Sequence, residues 1–137
     1  MLAELLNTRM VPTMISGIAG LDRLARAEAK LLAGGAGFSI ALCKHFPSLH
    51  AVALDPLRAA RLEAKTKIAA NGLSSRIEVR EGRIEQISEE AVYHMVFVAA
   101  PFMNDAALAE GLVRVKKALL PGGIVLSSAY REPVDAR

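Results

Sequence analysis

The run Tyr93-His-Met-Val-Phe-Val-Ala-Ala100 constrains this chain more than any other segment. It is almost continuously apolar and offers water no polar face, which is the pattern of a strand buried on both sides. Such a strand needs helices above and below its sheet, and the flanking sequence alternates between the two periodicities that would supply them. Lys30-Leu-Leu-Ala33 is a short apolar run that meets the glycine cluster Gly34-Gly35-Ala36-Gly37, as a buried strand turning sharply into a helix would. Phe38, Ala41, Leu42 and His45/Phe46 then share one helical face, and Pro47 stops that helix. His50-Ala-Val-Ala-Leu-Asp55 is a strand ending in an acid. Pro56 suits the first position of a helix running to about Ala70, which Asn71-Gly72 closes. Arg76-Ile-Glu-Val-Arg80 alternates like a half-exposed edge strand. Leu108, Leu112, Val115 and Leu119 make an apolar stripe that ends at Pro121-Gly122-Gly123, ahead of a strand at Ile124–Ser128.

Strand and helix therefore alternate through five strands, the order expected of an α/β fold with a mostly parallel sheet covered by helices. Two short helices are expected before residue 30, so the chain divides into a helical segment over 1–29, a possible interface, and a Rossmann-like domain over 30–137. Ligands of such sheets bind beyond the carboxyl ends of the strands. That rule selects residues 33–38, 55–58, 82–84 and 99–103.

Composition narrows the class further. With 137 residues the chain suits one domain, and with aromatics at 4% and no Trp its core is built from Ala, Leu, Val and Ile. Lys and Arg number 17 against 14 Asp and Glu, and the charges are interspersed, so no nucleic-acid surface is implied. Cys43 is the only cysteine. It excludes an internal disulfide and multi-cysteine metal sites and suits a reducing, cytoplasmic setting. His45, His50 and His94 lie apart without metal-ligand spacing, so no metal site is expected. No segment approaches the roughly 18–20 apolar residues of a membrane span, and no membrane partner is expected.

Four stretches in order, Leu31-Leu-Ala-Gly-Gly-Ala-Gly-Phe-Ser-Ile-Ala-Leu-Cys-Lys-His-Phe-Pro47, Val52-Ala-Leu-Asp55, Ala70-Asn-Gly-Leu-Ser-Ser-Arg-Ile-Glu-Val79 and Val115-Lys-Lys-Ala-Leu-Leu-Pro-Gly-Gly-Ile-Val125, resemble the core of class I S-adenosylmethionine-dependent methyltransferases. The likeness is to the bacterial small-molecule enzymes of specialised metabolism and spans roughly residues 30–130. It implies a three-layer fold with strand order 3-2-1-4-5. It further implies a cofactor site in which Gly34, Gly35 and Gly37 admit the methionine part and Asp55 bridges the ribose hydroxyls. The chain departs from the pattern in two places. Leu31 or Leu32 stands where an acid precedes the glycine loop, and Gly82-Arg83 replaces an expected Gly-Asp near adenine. Arg83, with Arg58 on the neighbouring helix, suits an anionic group such as phosphate, sulfate or carboxylate. Phe102 and Asn104 occupy the place where the resemblance puts the substrate.

The resemblance also implies a further helix and a closing antiparallel hairpin after the fifth strand, whereas this sequence ends at Arg137. The strand Ile124–Ser128 is then an apolar edge that invites a second protein chain or a second copy. The reading that follows is a degenerate methyltransferase-like subunit of a hetero-oligomeric enzyme. It tailors a small molecule in bacterial natural-product biosynthesis by chemistry such as substitution, elimination or ring closure, with S-adenosylmethionine binding either retained or lost. The alternative is an active S-adenosylmethionine-dependent methyltransferase. A third reading is a binding module without turnover. No general base stands out, so the catalytic residues are left open.

Overall fold

The computed structural model describes residues 28–98 and 103–127. The helices expected before residue 30, and Phe102, lie outside them. Five strands, β1 (Lys30–Gly34), β2 (His50–Asp55), β3 (Ile77–Glu81), β4 (Tyr93–Val98) and β5 (Leu119–Ser127), form one sheet in the order β3-β2-β1-β4-β5. Every neighbouring pair is parallel. Between them run α1 (Gly37–His45), α2 (Arg58–Ala70), a 3₁₀ turn (Ile84–Gln86) and α3 (Asp105–Ala118).

Side-chain alternation divides the core into two layers. Leu31, Ala33, Ala51, Ala53 and Ile77 pack on one face of the sheet with Phe38, Leu42 and Cys43 of α1, Phe46 just past its end, and Ile68 of α2. Leu32, Val52, Leu54, Val96 and Val98 pack on the other with Val115 and Ala118 of α3 and with Ile84 and Ile87. The strands buried on both faces are therefore the central ones, where alternating faces must both be apolar. At the sheet's outer edge β3 alternates as expected, with Ile77 buried and Glu78 exposed.

Three local readings change. The second helix begins at Arg58, not Pro56, with Leu57 as its extended N-cap residue. The Asp55 carboxylate accepts the Leu57 N–H at 2.9 Å, forming a turn before the helix. On α3 the buried row is Gly111, Val115 and Ala118, whereas Leu112 is 46% exposed. Gly111 sets this rotation, since a Cβ there would stand 3.2 Å from Ile84 Cγ2. The 3₁₀ turn thus fits against a position without a side chain.

Strand β5 begins at Leu119 and contains Pro121-Gly122-Gly123, which the sequence suggests as a break. Tyr93 pairs with Leu119 and Met95 with Ile124, so the register shifts there as in a bulge. Gly122 has φ +82°, and Pro121 is tolerated on an edge strand because its missing N–H has no ladder bond to make.

One long side chain ties the layers at the opposite end from the glycine loop. Arg76, just before β3, donates from Nη1 to Phe46 O and Leu49 O at 3.1 and 3.0 Å, and from Nη2 to Cys43 O at 2.8 Å. Its guanidinium fork gathers carbonyls at the end of α1 and in the α1–β2 connection.

Candidate functional site

The β1–α1 turn is held by its glycines. Gly35 has φ +91°, a conformation that L side chains rarely adopt, and its N–H donates to Leu54 O at 2.9 Å. A Cβ at Gly35 would meet nothing within 4 Å, so the residue is required by backbone conformation and the space above it stays open. Helix α1 starts at Gly37 with Ala36 as its N-cap residue, without a side-chain cap and without an acid in its first turn. Its first N–H groups accordingly carry the partial positive charge of the helix end.

Gly35, Gly37 and Asp55 line one cleft of about 180 Å³ with Ala53, Ala60 and Ala64. Gly34 belongs to β1 and stands behind this turn. Arg83 lines a separate hollow of about 330 Å³ beyond β3, with Leu54, Gln86, Ile87 and Glu89 among its walls. Gly82, at φ +153°, sits within ordinary contact of Leu54, where a Cβ would be 3.5 Å from Cδ2. Arg58 is exposed and lines neither hollow, so the expected Arg58–Arg83 anion site is not assembled around one space. Asn104 Oδ1 accepts the Ala107 N–H at 2.8 Å, which makes Asn104 the N-cap of α3.

Two polar arrangements are legible only in three dimensions. Glu89 accepts from the hydroxyl of the fully buried Tyr93 and, at 3.2 Å, from Arg80 Nη1. Burial pushes the Tyr93 hydroxyl up, and the bond to Glu89 pushes it further in the same direction. Arg80 is held in its charged form chiefly by its bond to Glu78. Ser39 is fully buried, and its Oγ has no hydrogen-bond partner. The row Ala60, Glu63, Ala64 and Lys67 on α2 also lines the first cleft. Its i, i+3, i+4, i+7 spacing was the available signal for it. Among the described residues no group of three His, Cys, Asp or Glu side chains is placed to hold a metal ion, and no helix is long and apolar enough to cross a membrane.

No protein-family model matches the sequence, and no curated protein matches it. Solved structures do match. An O-methyltransferase family protein from Burkholderia thailandensis is 20% identical with a TM-score of 0.70, covering 92% of this chain and 39% of its own. A protein assigned as an S-adenosyl-L-methionine-dependent methyltransferase from Methanococcus maripaludis is 22% identical with a TM-score of 0.71, covering 93% of this chain and 61% of its own. The [4+2]-cyclase SpnF is 13% identical with a TM-score of 0.63, covering 77% and 43%. The chain thus spans less than two thirds of the length of these proteins. Together with the strand order, they define the fold as that of class I S-adenosylmethionine-dependent methyltransferases.

Proposed function

We propose that this chain is a methyltransferase-fold subunit of a small-molecule enzyme, retaining the ribose end of the cofactor site and lacking the end that holds the amino acid. The observation that carries the reading is the pair Leu31 and Leu32, both fully buried in the sheet core where the resemblance expects a carboxylate. S-adenosylmethionine carries a sulfonium and an ammonium, and apolar side chains offer neither a counter-charge. One charge-assisted contact of this kind is worth about 1–3 kcal/mol, roughly ten- to a hundredfold in affinity. At the ribose end the residues do fit. Asp55 stands at the tip of β2 with one carboxylate oxygen engaged by Leu57 N–H, and Gly35 keeps the space beside it open.

Fold alone does not fix the reaction. The same fold serves a [4+2]-cyclase in SpnF as well as methyltransferases. In this reading Arg83 holds an anionic group of the substrate in the hollow beyond β3, and a second protein chain completes the site in a hetero-oligomeric enzyme of bacterial natural-product biosynthesis. What supports a partner is the β5 side of the molecule, where Val125 is 40% exposed and Leu112 and Val113 on α3 are 46% and 54% exposed. A second reading, an active methyltransferase, is favoured by Asp55 and the Gly35 turn, because methyl transfer rests largely on orienting the reacting groups.

Calorimetric titration with S-adenosylhomocysteine and with 5′-methylthioadenosine separates the two. Both share adenine and ribose, and only the first carries the amino acid. The proposal expects the two affinities to agree within about threefold and both to vanish in Asp55→Ala. A preference of about tenfold or more for S-adenosylhomocysteine, the lower end of what a retained charge-assisted contact is worth, overturns it in favour of the second reading. Failure of a folded chain to bind either ligand removes the ribose-end assignment.

A further inference from the structure

Helix α2 is anchored shallowly, since Ile68 is its only buried residue. Its far side carries a stripe of a different kind. Arg58, Leu62, Lys65 and Ala69 follow one another at i, i+4, i+7 and i+11, and all four are exposed. The stripe lies across the helix from Ala60 and Ala64, so it has no part in the cleft given to the ribose. Leu62 is 53% exposed, and Leu57 at the N-cap is 63% exposed.

The charges of α2 are unbalanced. Arg58, Arg61, Lys65 and Lys67 face a single acid of this helix, Glu63, and that acid is taken by Lys67 at 3.2 Å. Arg61 donates from Nη1 to Asp55 O at 3.1 Å. Among the described residues Arg58 and Lys65 form no ion pair. Arg58 also opposes its own helix, because it stands at the first helical position, where the macrodipole already presents positive charge. That end has no acid in its first turn and no side-chain cap, and the carboxylate of Asp55 holds the Leu57 N–H before the helix begins. A cation set against the dipole is a local conflict that folding does not explain. An acid brought by another molecule would resolve it, and a second acid two turns on would meet Lys65.

The pattern selects the occupant. On a helix lying in a lipid surface, cations border the apolar face. Here they alternate with Leu62 along one line, so the covering surface has to alternate acidic and apolar groups at helical spacing, as an acidic amphipathic helix does. The chain itself does not supply one. Residues 1–27 hold Glu4 and Asp22 against three arginines, and residues 128–137 hold Glu132 and Asp135 against two. A second copy fits poorly as well, since the exposed face of α3 sets Lys116 and Lys117 on the same side as Val113. We propose that the Arg58–Ala69 face of α2 docks an acidic amphipathic helix of a partner protein, with its acids at Arg58 and Lys65 and its apolar side chains on Leu57 and Leu62. The two helices run antiparallel, which sets the negative end of the partner's dipole at the positive end of α2. This face is separate from the cofactor cleft and from the β5 side, and the proposal stands whether or not the chain binds a nucleoside.

Three synthetic helices test it: one of leucine and glutamate, one with lysine for every glutamate, and one with serine for every leucine. Leucine methyl resonances report binding by NMR, and circular dichroism confirms that each variant is folded. The leucine–glutamate helix is expected to shift Leu57 and Leu62 saturably, and the other two to leave them in place. Arg58→Gln and Lys65→Gln should each weaken binding roughly two- to fivefold, the worth of one exposed ion pair. The double variant Arg58→Glu, Lys65→Glu should reverse the preference and take the lysine helix. Its urea midpoint should not fall, because an acid suits the first helical turn. The proposal is overturned if the leucine–glutamate helix gives no saturable shift, if the lysine or serine helix binds as tightly, or if charge reversal leaves the preference as it was. Binding to anionic phospholipid vesicles without any response to the leucine–glutamate helix would replace it with a membrane surface. Concentration-dependent shifts of the same methyls in the free chain would replace it with a second copy.

Discussion

Cys43 shows how a single buried side chain couples this fold to pH. It is fully buried on α1, and burial pushes its thiol up from 9.0 to about 11 against a smaller opposite pull from the Arg76 guanidinium. The folded chain therefore keeps this proton between about pH 9 and 11, where the unfolded chain releases it. The contribution to stability is fully present below pH 9 and is lost as pH rises through 11. The urea unfolding free energy should fall between pH 8.5 and 10.5 by on the order of 2 kcal/mol more in the native chain than in Cys43→Ala. An equal fall in both would show that other groups carry the dependence. At neutral pH the same burial predicts a thiol nearly inert to alkylating reagents until the chain unfolds.

At the scale of elements, the joint between α1 and β3 is the most concentrated polar contact in the described chain. Arg76 gives three hydrogen bonds to carbonyls at the end of α1 and in the α1–β2 connection, and of these Phe46 O also accepts the Leu49 N–H and Leu49 O the Cys43 thiol. Arg76→Met should destabilise the fold by about 2–4 kcal/mol in urea titration, because the carbonyls lose charge-assisted donors and keep only partial access to water. Arg76→Lys should recover less than half, since one ammonium cannot span three acceptors in a fork. A loss below about 0.5 kcal/mol, typical of an unremarkable surface change, would refute the clasp.

Across the whole molecule, five strands and their burial were readable because apolar runs and glycine punctuation agree with each other from Lys30 to Leu126, whereas their order followed from the family resemblance. The α3 stripe was read one side chain too wide. Periodicity counted Leu112 as apolar but could not see that Gly111 faces Ile84 too closely for a side chain at that position. Within the site, Gly35, Gly37 and Asp55 were legible from their place after strands, and they do line one cleft. Arg58 and Arg83 were grouped by charge alone, and nothing local in the sequence fixes where a long exposed side chain ends. The α2 wall of that cleft was missed because alanines carry no chemical signature until their neighbours across the gap are known. The shallow anchoring of α2 also predicts an order of local opening. Amide exchange should be fastest among the helices over Arg58–Glu63 and slowest in β1 and β4, and comparable protection throughout would contradict it.

The pairing of β1 with β4 has a consequence during synthesis. Lys30 and His94, which meet through the Lys30 N–H and His94 Nδ1, are 64 positions apart. At the usual rate of about 5–20 residues per second, a ribosome needs roughly 3–13 s to supply the second neighbour of β1 after the first of these residues has been added. During that interval the nascent chain holds β1 and β2 with one flank of Leu31–Ala33 unpaired and apolar. Its yield in a cell should therefore track translation speed across residues 82–98, which synonymous-codon variants that leave the folded chain unchanged would test.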